Sequence, residues 1–336
     1  MGRYIIRRCI GAFVVVIIIS MATYGIFFVG PKLAGTNPAY LYVGKVATPA
    51  QVQAVSHSFG LDKPIIVQYA TYMKGIFFGR TFTDGVSTVH CSAPCFGYSF
   101  QYQESVTSLL KDRFPVTLSL AIGASILWLI VGVSIGIISA LKRGTLIDRS
   151  SMVVALAGVS LPVYFTGLLL LLIFSYGPAW LRLFPNPIYV PFTQNPALWA
   201  QNLILPWISL AFLYAALYAR LTRANMLETM GEDYIRTARA KGLRSSVVVR
   251  KHALRAALTP IVTIFGLDLG GLLGGAILTE KTFGLPGIGA LSIDAIAKED
   301  LPVILGTVIL AAVFIVVANI VVDVMYAVID PRVRYS

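Results

Sequence analysis

Two carboxylates interrupt the long apolar runs of this sequence, Asp268 and Asp323. A carboxylate in the middle of a bilayer-spanning helix costs about 2.5–3.5 kcal/mol on insertion scales, so each must face protein or water. Asp323 lies near the end of its run, where a structural salt bridge suits it. Asp268 stands beside Gly266 and Gly270, on the side of the bundle that leads to Glu280, and suits a path for a polar solute. A proton relay would need a chain of ionisable groups, and only these two acids fall within the runs. Cys91 and Cys95, four residues apart, suit a local disulfide in an oxidising compartment; free thiols or a metal are the alternatives, with His90 nearby but no second C-x-x-C. The three histidines are scattered, so no metal cluster is expected. There is no G-x-x-x-x-G-K-[ST] and no pairing of nucleophile with base, so neither nucleotide binding through a P-loop nor catalysis is expected.

A third group of residues offers recognition rather than chemistry. Gly231-Glu232-Asp233-Tyr234-Ile235-Arg236-Thr237-Ala238-Arg239-Ala240-Lys241-Gly242-Leu243 begins with carboxylates, which favour the positive end of a helix dipole. It ends with Arg239 and Lys241 before a glycine suited to a C-terminal cap. The spacing predicts a helix of two to three turns with Ile235, Ala238 and Leu243 as a modest apolar face, too short to span a bilayer. A basic face on anionic lipid would account for Arg236, Arg239, Lys241 and Arg244. It would not account for the caps, which favour docking into another protein.

The elements that must position these residues are membrane helices. Of 336 residues, 57% are hydrophobic and 12% charged, more apolar surface than a soluble core absorbs. Apolar runs of about 20 residues mark spans, and six occur, at 9–29, 115–141, 152–176, 202–220, 257–279 and 302–328. The first follows Arg3, Arg7 and Arg8 but lacks a cleavage site before Pro31, so it reads as an uncleaved helix. Lys and Arg gather in the N-terminus, 142–151, 221–256 and the tail, which the positive-inside rule places in the cytoplasm with both termini. The net charge of +12 is thereby topological and not a nucleic-acid footprint. Residues 1–29 read as an N-terminal transmembrane helix, 30–113 as an external loop domain, and 114–336 as a core of five transmembrane helices with a cytoplasmic loop at 221–256. The stretch 280–301, with Gly284-Leu285-Pro286-Gly287-Ile288-Gly289, predicts a sharp turn or re-entry. In the fifth run, Gly270 with Gly274 and Gly271 with Gly275 form small-x3-small patterns, which let helices approach closely within the chain or against a second subunit.

At the 231–255 loop the sequence resembles the permeases of binding-protein-dependent ABC importers, in the dipeptide and oligopeptide branch. That family's cytoplasmic signature is Glu-Ala-Ala, three residues, Gly, nine residues, Ile-x-Leu-Pro. The matching positions here are Arg236-Thr237-Ala238, Gly242 and His252-Ala253-Leu254-Arg255, a departure that is similar to the peptide branch's own version. Leu61-Asp62-Lys63-Pro64, Arg113-Phe114-Pro115, Gly270-Gly271 with Gly274-Gly275, Glu280, Pro286-Gly287 and Asp330-Pro331-Arg332 extend the likeness along nearly the whole chain. Arg80 stands where the branch has an acid, and Arg80 to Phe96 resembles an insertion whose disulfide would stiffen an external tip.

The resemblance implies an all-α membrane protein with the type I ABC importer permease fold in the bacterial plasma membrane. It implies a pore subunit that is not an enzyme and binds no cofactor, ATP and Mg being held by partner subunits. The partners implied are a second, different permease, two ATPase subunits or one fused ATPase, an extracytoplasmic peptide-binding protein and the lipid bilayer, with no nucleic acid. Glu232, Asp233, Tyr234, Arg236, Thr237, Ala238, Lys241, Gly242 and Leu243 would couple to the ATPases. Asp268 and Glu280 would line the path, and Gly270, Gly271, Gly274 and Gly275 would form the permease interface. Alternating access would import peptides; the rival reading is a proton-coupled secondary transporter.

Overall fold

The computed structural model describes residues 2–33, 35, 38–40, 48–83, 88–184 and 187–329. Five helices are long and apolar enough to cross a membrane: α1 (Gly2–Leu33), α4 (Val106–Leu141), α7 (Pro196–Gly231), α9 (Ser245–Leu273) and α12 (Leu301–Ile329). The remaining apolar run, expected as one span over 152–176, is a pair of helices. These are α5 (Leu146–Ser160) and α6 (Val163–Phe174), bent by 102°. Pro162 explains the break, because its ring excludes the helical conformation for the residue before it, and Leu161 is extended at φ −88°, ψ 127°.

The chain gathers into two compact units, each with its own packing. The first combines the chain up to Thr117 with residues 273–277 and 286–317. The 30–113 segment, expected as a separate loop domain, therefore shares its core with α11 (Ile288–Lys298) and the start of α12. Within it, α2 (Pro49–Phe59) and α3 (Ile65–Phe78) are joined by a turn in which Gln68 Nε2 donates to the carbonyls of Leu61 at 3.0 Å and Lys63 at 2.7 Å. Among the described residues, two short antiparallel ladders depart from the helical architecture: β1 (Arg80–Thr83) with β2 (Thr88–Cys91), and β3 (Tyr98–Ser99) with β4 (Glu104–Ser105). Gly79, at φ +78°, lets α3 run straight into β1, since a Cβ there would lie 2.7 Å from the Cys91 carbonyl oxygen.

Cys91 and Cys95 are disulfide-bonded, with their Cα atoms 5.7 Å apart. They are 3% and 2% exposed and pack with Tyr24, Phe28, Phe82 and Leu301. The two cysteines thus belong to the core of this unit, with Tyr98 buried beside them, while Ser92, Ala93 and Pro94 between them are exposed. Asp300 caps α12 and receives the Ser99 hydroxyl. Burial raises the Asp300 carboxyl above the usual carboxylate range, and the Ser99 hydrogen bond opposes that shift.

The second unit holds residues 118–272, 278–285 and the chain from Ala318. Gly132 and Gly136 of α4 meet α7 so closely that a Cβ on either would lie 2.7 Å from the carbonyl oxygens of Ala215 and Ala219. Close helix approach through small residues four apart is thus made by α4. The pattern expected at Gly270, Gly271, Gly274 and Gly275 is corrected, because α9 ends at Leu273. Gly274 lies in a turn, and Gly275, at φ +126°, meets the backbone of Gly289 within the first unit. α4 contains a π-turn over Leu129–Val133 and α9 another over Val248–Ala253. Short α8 (Asp233–Ala240) and α10 (Ile277–Thr282) complete the unit's elements, with α10 starting in the first.

Candidate functional site

The short helix α8 is shaped by its two ends. Glu232, not Gly231, is its N-cap, and Gly231 closes α7. The Glu232 carbonyl accepts from the amides of Ile235 at 3.1 Å and Arg236 at 3.2 Å. At the other end the Gly242 N–H donates to Arg239 O at 2.9 Å and the Leu243 N–H to Ala238 O at 3.4 Å. That bond pair is a Schellman cap, which needs a left-handed residue, and Gly242 supplies φ +75°. Ile235 and Ala238 are buried against Ala140, Met226, Val248 and Ala253, so they anchor the helix to its own chain. Arg239 reaches back to the Met230 sulfur at 4.0 Å. Glu232, Asp233, Tyr234, Arg236, Thr237, Lys241, Gly242 and Leu243 are all exposed. Leu243 therefore leaves the inner face expected of it, and Ala238 leaves the outer one. The Asp233–Arg236 pair, at 3.4 Å, is fully solvated and contributes little to stability.

One turn before Met226, α7 carries a feature that the sequence reading missed. Arg223 Nε and Nη2 donate to the two carboxylate oxygens of Asp148 at 2.7 and 2.9 Å. Ser139 Oγ donates to Oδ1 at 2.5 Å, and the Gly144 amide to Oδ2 at 2.9 Å. One carboxylate thus joins the end of α4, the turn into α5 and α7. The signal in the sequence was Thr145 followed by Asp148, a capping pattern that fixes Asp148 in the first turn of α5.

Asp268 lies in the interior stretch of α9, half-buried, and accepts the Tyr218 hydroxyl of α7 at 2.7 Å. Trp128 of α4 stacks on Tyr214 with ring centroids 4.5 Å apart, and sits 6.1 Å from Tyr218 and 6.2 Å from Phe265. Glu280, expected beside Asp268 along a path, is 0% exposed in α10. Gly270 is buried, whereas a Cβ on Gly271 would meet nothing. The Asp323 side chain and residues 330–332 lie outside the described residues. Among the described residues no group of three His, Cys, Asp or Glu could hold a metal ion.

Among the described residues, five long apolar helices and a bent apolar pair mark a multi-pass membrane protein, with the short polar helix α8 on its surface. The chain belongs to the family described as binding-protein-dependent transport system inner membrane component, which matches residues 132–335, while the N-terminal model of the same system matches 1–121. It is similar to a Brucella abortus protein named as a peptide transport system permease, at 36% identity over 100% of both chains. The glutathione transport system permease protein GsiC of Escherichia coli (strain K12) is likewise 36% identical over 100% of both chains. A solved structure that it resembles is the MetNI methionine ABC transporter, at TM-score 0.49 and 18% identity, over 67% of this chain and 97% of that one.

Proposed function

We propose that this chain is one of two permease subunits of an ATP-driven importer of small peptides, with both termini in the cytoplasm. The observation that carries this reading is α8: closed by a Schellman cap at Gly242, anchored by Ile235 and Ala238, and exposing Asp233, Tyr234, Arg236, Thr237 and Lys241. A rigid helix with a charged outer face suits a groove on a cytoplasmic ATPase, where complementary charges fix its orientation. One chain offers one such helix, so a second, related permease supplies the other, and an external binding protein delivers the solute. ATP would draw the two α8 helices together and open the path outward; hydrolysis would reverse it. Relatives at 36% identity are named for peptides and for glutathione, which supports peptides as the substrate class. Asp268 is the residue we place on the path.

The test is the complex purified through this chain and reconstituted in liposomes with the binding protein. Peptide uptake that requires ATP, with hydrolysis stimulated by the loaded binding protein, is the expected result. Uptake by this chain alone, driven by a proton gradient, would replace the reading with a secondary transporter.

A further inference from the structure

Among the described residues Asp268 is a carboxylate without a paired counter-charge. Among the described residues its partner is Tyr218, which donates to Oδ2 at 2.7 Å, and no Lys or Arg is paired with it. Tyr214 and Tyr218 are one turn apart on α7, and so share a face. Phe265 precedes Asp268 by three residues on α9, which places both on one side of that helix. Trp128 fills the space between the two helices and is fully buried. Gly132, one turn further along α4, admits the close contact with α7 that holds Trp128 in place. The half-buried members are Tyr214, Phe265 and Asp268, so the cluster's accessible surface combines a carboxylate with aromatic side chains.

A negative oxygen beside ring faces, in a helix interior of low dielectric, has a defined complement. It is a compact cation able to donate a hydrogen bond, which gains both from the carboxylate and from the ring quadrupoles. Among the groups a small peptide carries, the free α-amino terminus is present in every one and is protonated at neutral pH. We propose that Asp268, Tyr214 and Tyr218 form a seat for the protonated amino terminus of the peptide as it crosses the membrane. Tyr218 holds one oxygen of Asp268 and leaves the other to the ammonium; Tyr214 covers it. This inference rests on the peptide-import reading and assigns a chemical group to the path residue named there.

The experiment compares a dipeptide with its N-acetylated form, both at concentrations that saturate the binding protein, using the reconstituted complex. The parental complex is expected to favour the free amine by about tenfold in uptake rate, the scale of one lost charge-assisted contact. The ratio should fall to within about twofold for Asp268→Asn and persist for Asp268→Glu, which keeps the charge. Tyr214→Leu removes an accessible ring and not a buried bond, so it serves if the asparagine variant fails to assemble; its ratio should fall by about threefold. Uptake of both peptides lowered equally by Asp268→Asn would make Asp268 a joint between α7 and α9 and overturn the proposal. An unchanged ratio would also overturn it, leaving a basic group of the second permease as the counter-charge. A parental complex that hydrolyses ATP yet moves neither peptide would instead overturn the peptide reading.

Discussion

Arg223 and Asp148 show how much one carboxylate can organise. Asp148 is 4% exposed and accepts from Ser139, Gly144 and Arg223, so removing the guanidinium leaves a nearly buried charge uncompensated. Removing one partner of such a network is destabilising because the other is left uncompensated. Arg223→Leu should therefore lower the thermal midpoint of the detergent-solubilised chain sharply, while Arg223→Leu with Asp148→Leu recovers part of the loss. A midpoint unmoved by the single change would reduce the network to a surface contact. The pair was illegible in the sequence because its members are 75 residues apart and Asp148 falls just before the apolar run. Asp268, by contrast, was legible because a charge inside an apolar run is costly wherever the fold puts it. Asp300 carries a pH dependence of opposite sense to an ion-paired acid. Its carboxyl is raised by burial, so the fold keeps its proton preferentially. The stability this gives is complete below the unfolded value of 3.8 and lost as pH rises through the raised folded value. Thermal midpoints should therefore fall with rising pH across that window, and Asp300→Asn should flatten the fall.

At the scale of elements, α8 depends on the left-handed residue at its end. A Cβ on Gly242 would meet nothing within 4 Å, so any cost of substitution comes from backbone conformation alone. Gly242→Val should cost on the order of 1–2 kcal/mol locally, and Gly242→Asn much less, because asparagine tolerates φ > 0. In membranes the valine variant should insert normally while stimulated ATP hydrolysis and uptake fall; the asparagine variant should retain both. Normal coupling in the valine variant would detach α8 from the ATPases. The start of α8 at its carboxylates and its C-terminal cap at Gly242 were readable, since helix ends depend on residue types within one or two turns; a side-chain N-cap is not formed. What was not readable was which small residues pack helices. Gly270 and Gly274 have the same spacing as Gly132 and Gly136, but α9 stops at Leu273, and spacing alone does not reveal where a helix ends.

For the molecule as a whole, six apolar runs announced the membrane class, but the surroundings of the disulfide were not legible. Cys91 and Cys95 read as the base of a tip, and Ser92, Ala93 and Pro94 are exposed, yet the fold also wraps Phe82, Tyr98 and Leu301 around the two cysteines. Cys91→Ser with Cys95→Ser should thus lower the stability of the whole first unit, not merely loosen a loop. A loss of about 2 kcal/mol or more is expected, since two hydroxyls enter an apolar core as the crosslink is lost. Midpoints measured with and without reductant check this, and equal values would return the ring to a surface role. The bend between α5 and α6 bears on how the chain is made. With 15 and 12 residues, the two arms reach about 22 and 18 Å, short of the roughly 30 Å hydrocarbon thickness. Neither arm is a sufficient insertion signal alone, and the translocon must hand them to the bilayer together. Lengthening the Ser160–Pro162 joint with a few polar residues should then strand the pair outside the membrane during synthesis. Protease mapping of nascent chains would reveal this as a reversal in the sidedness of every segment that follows.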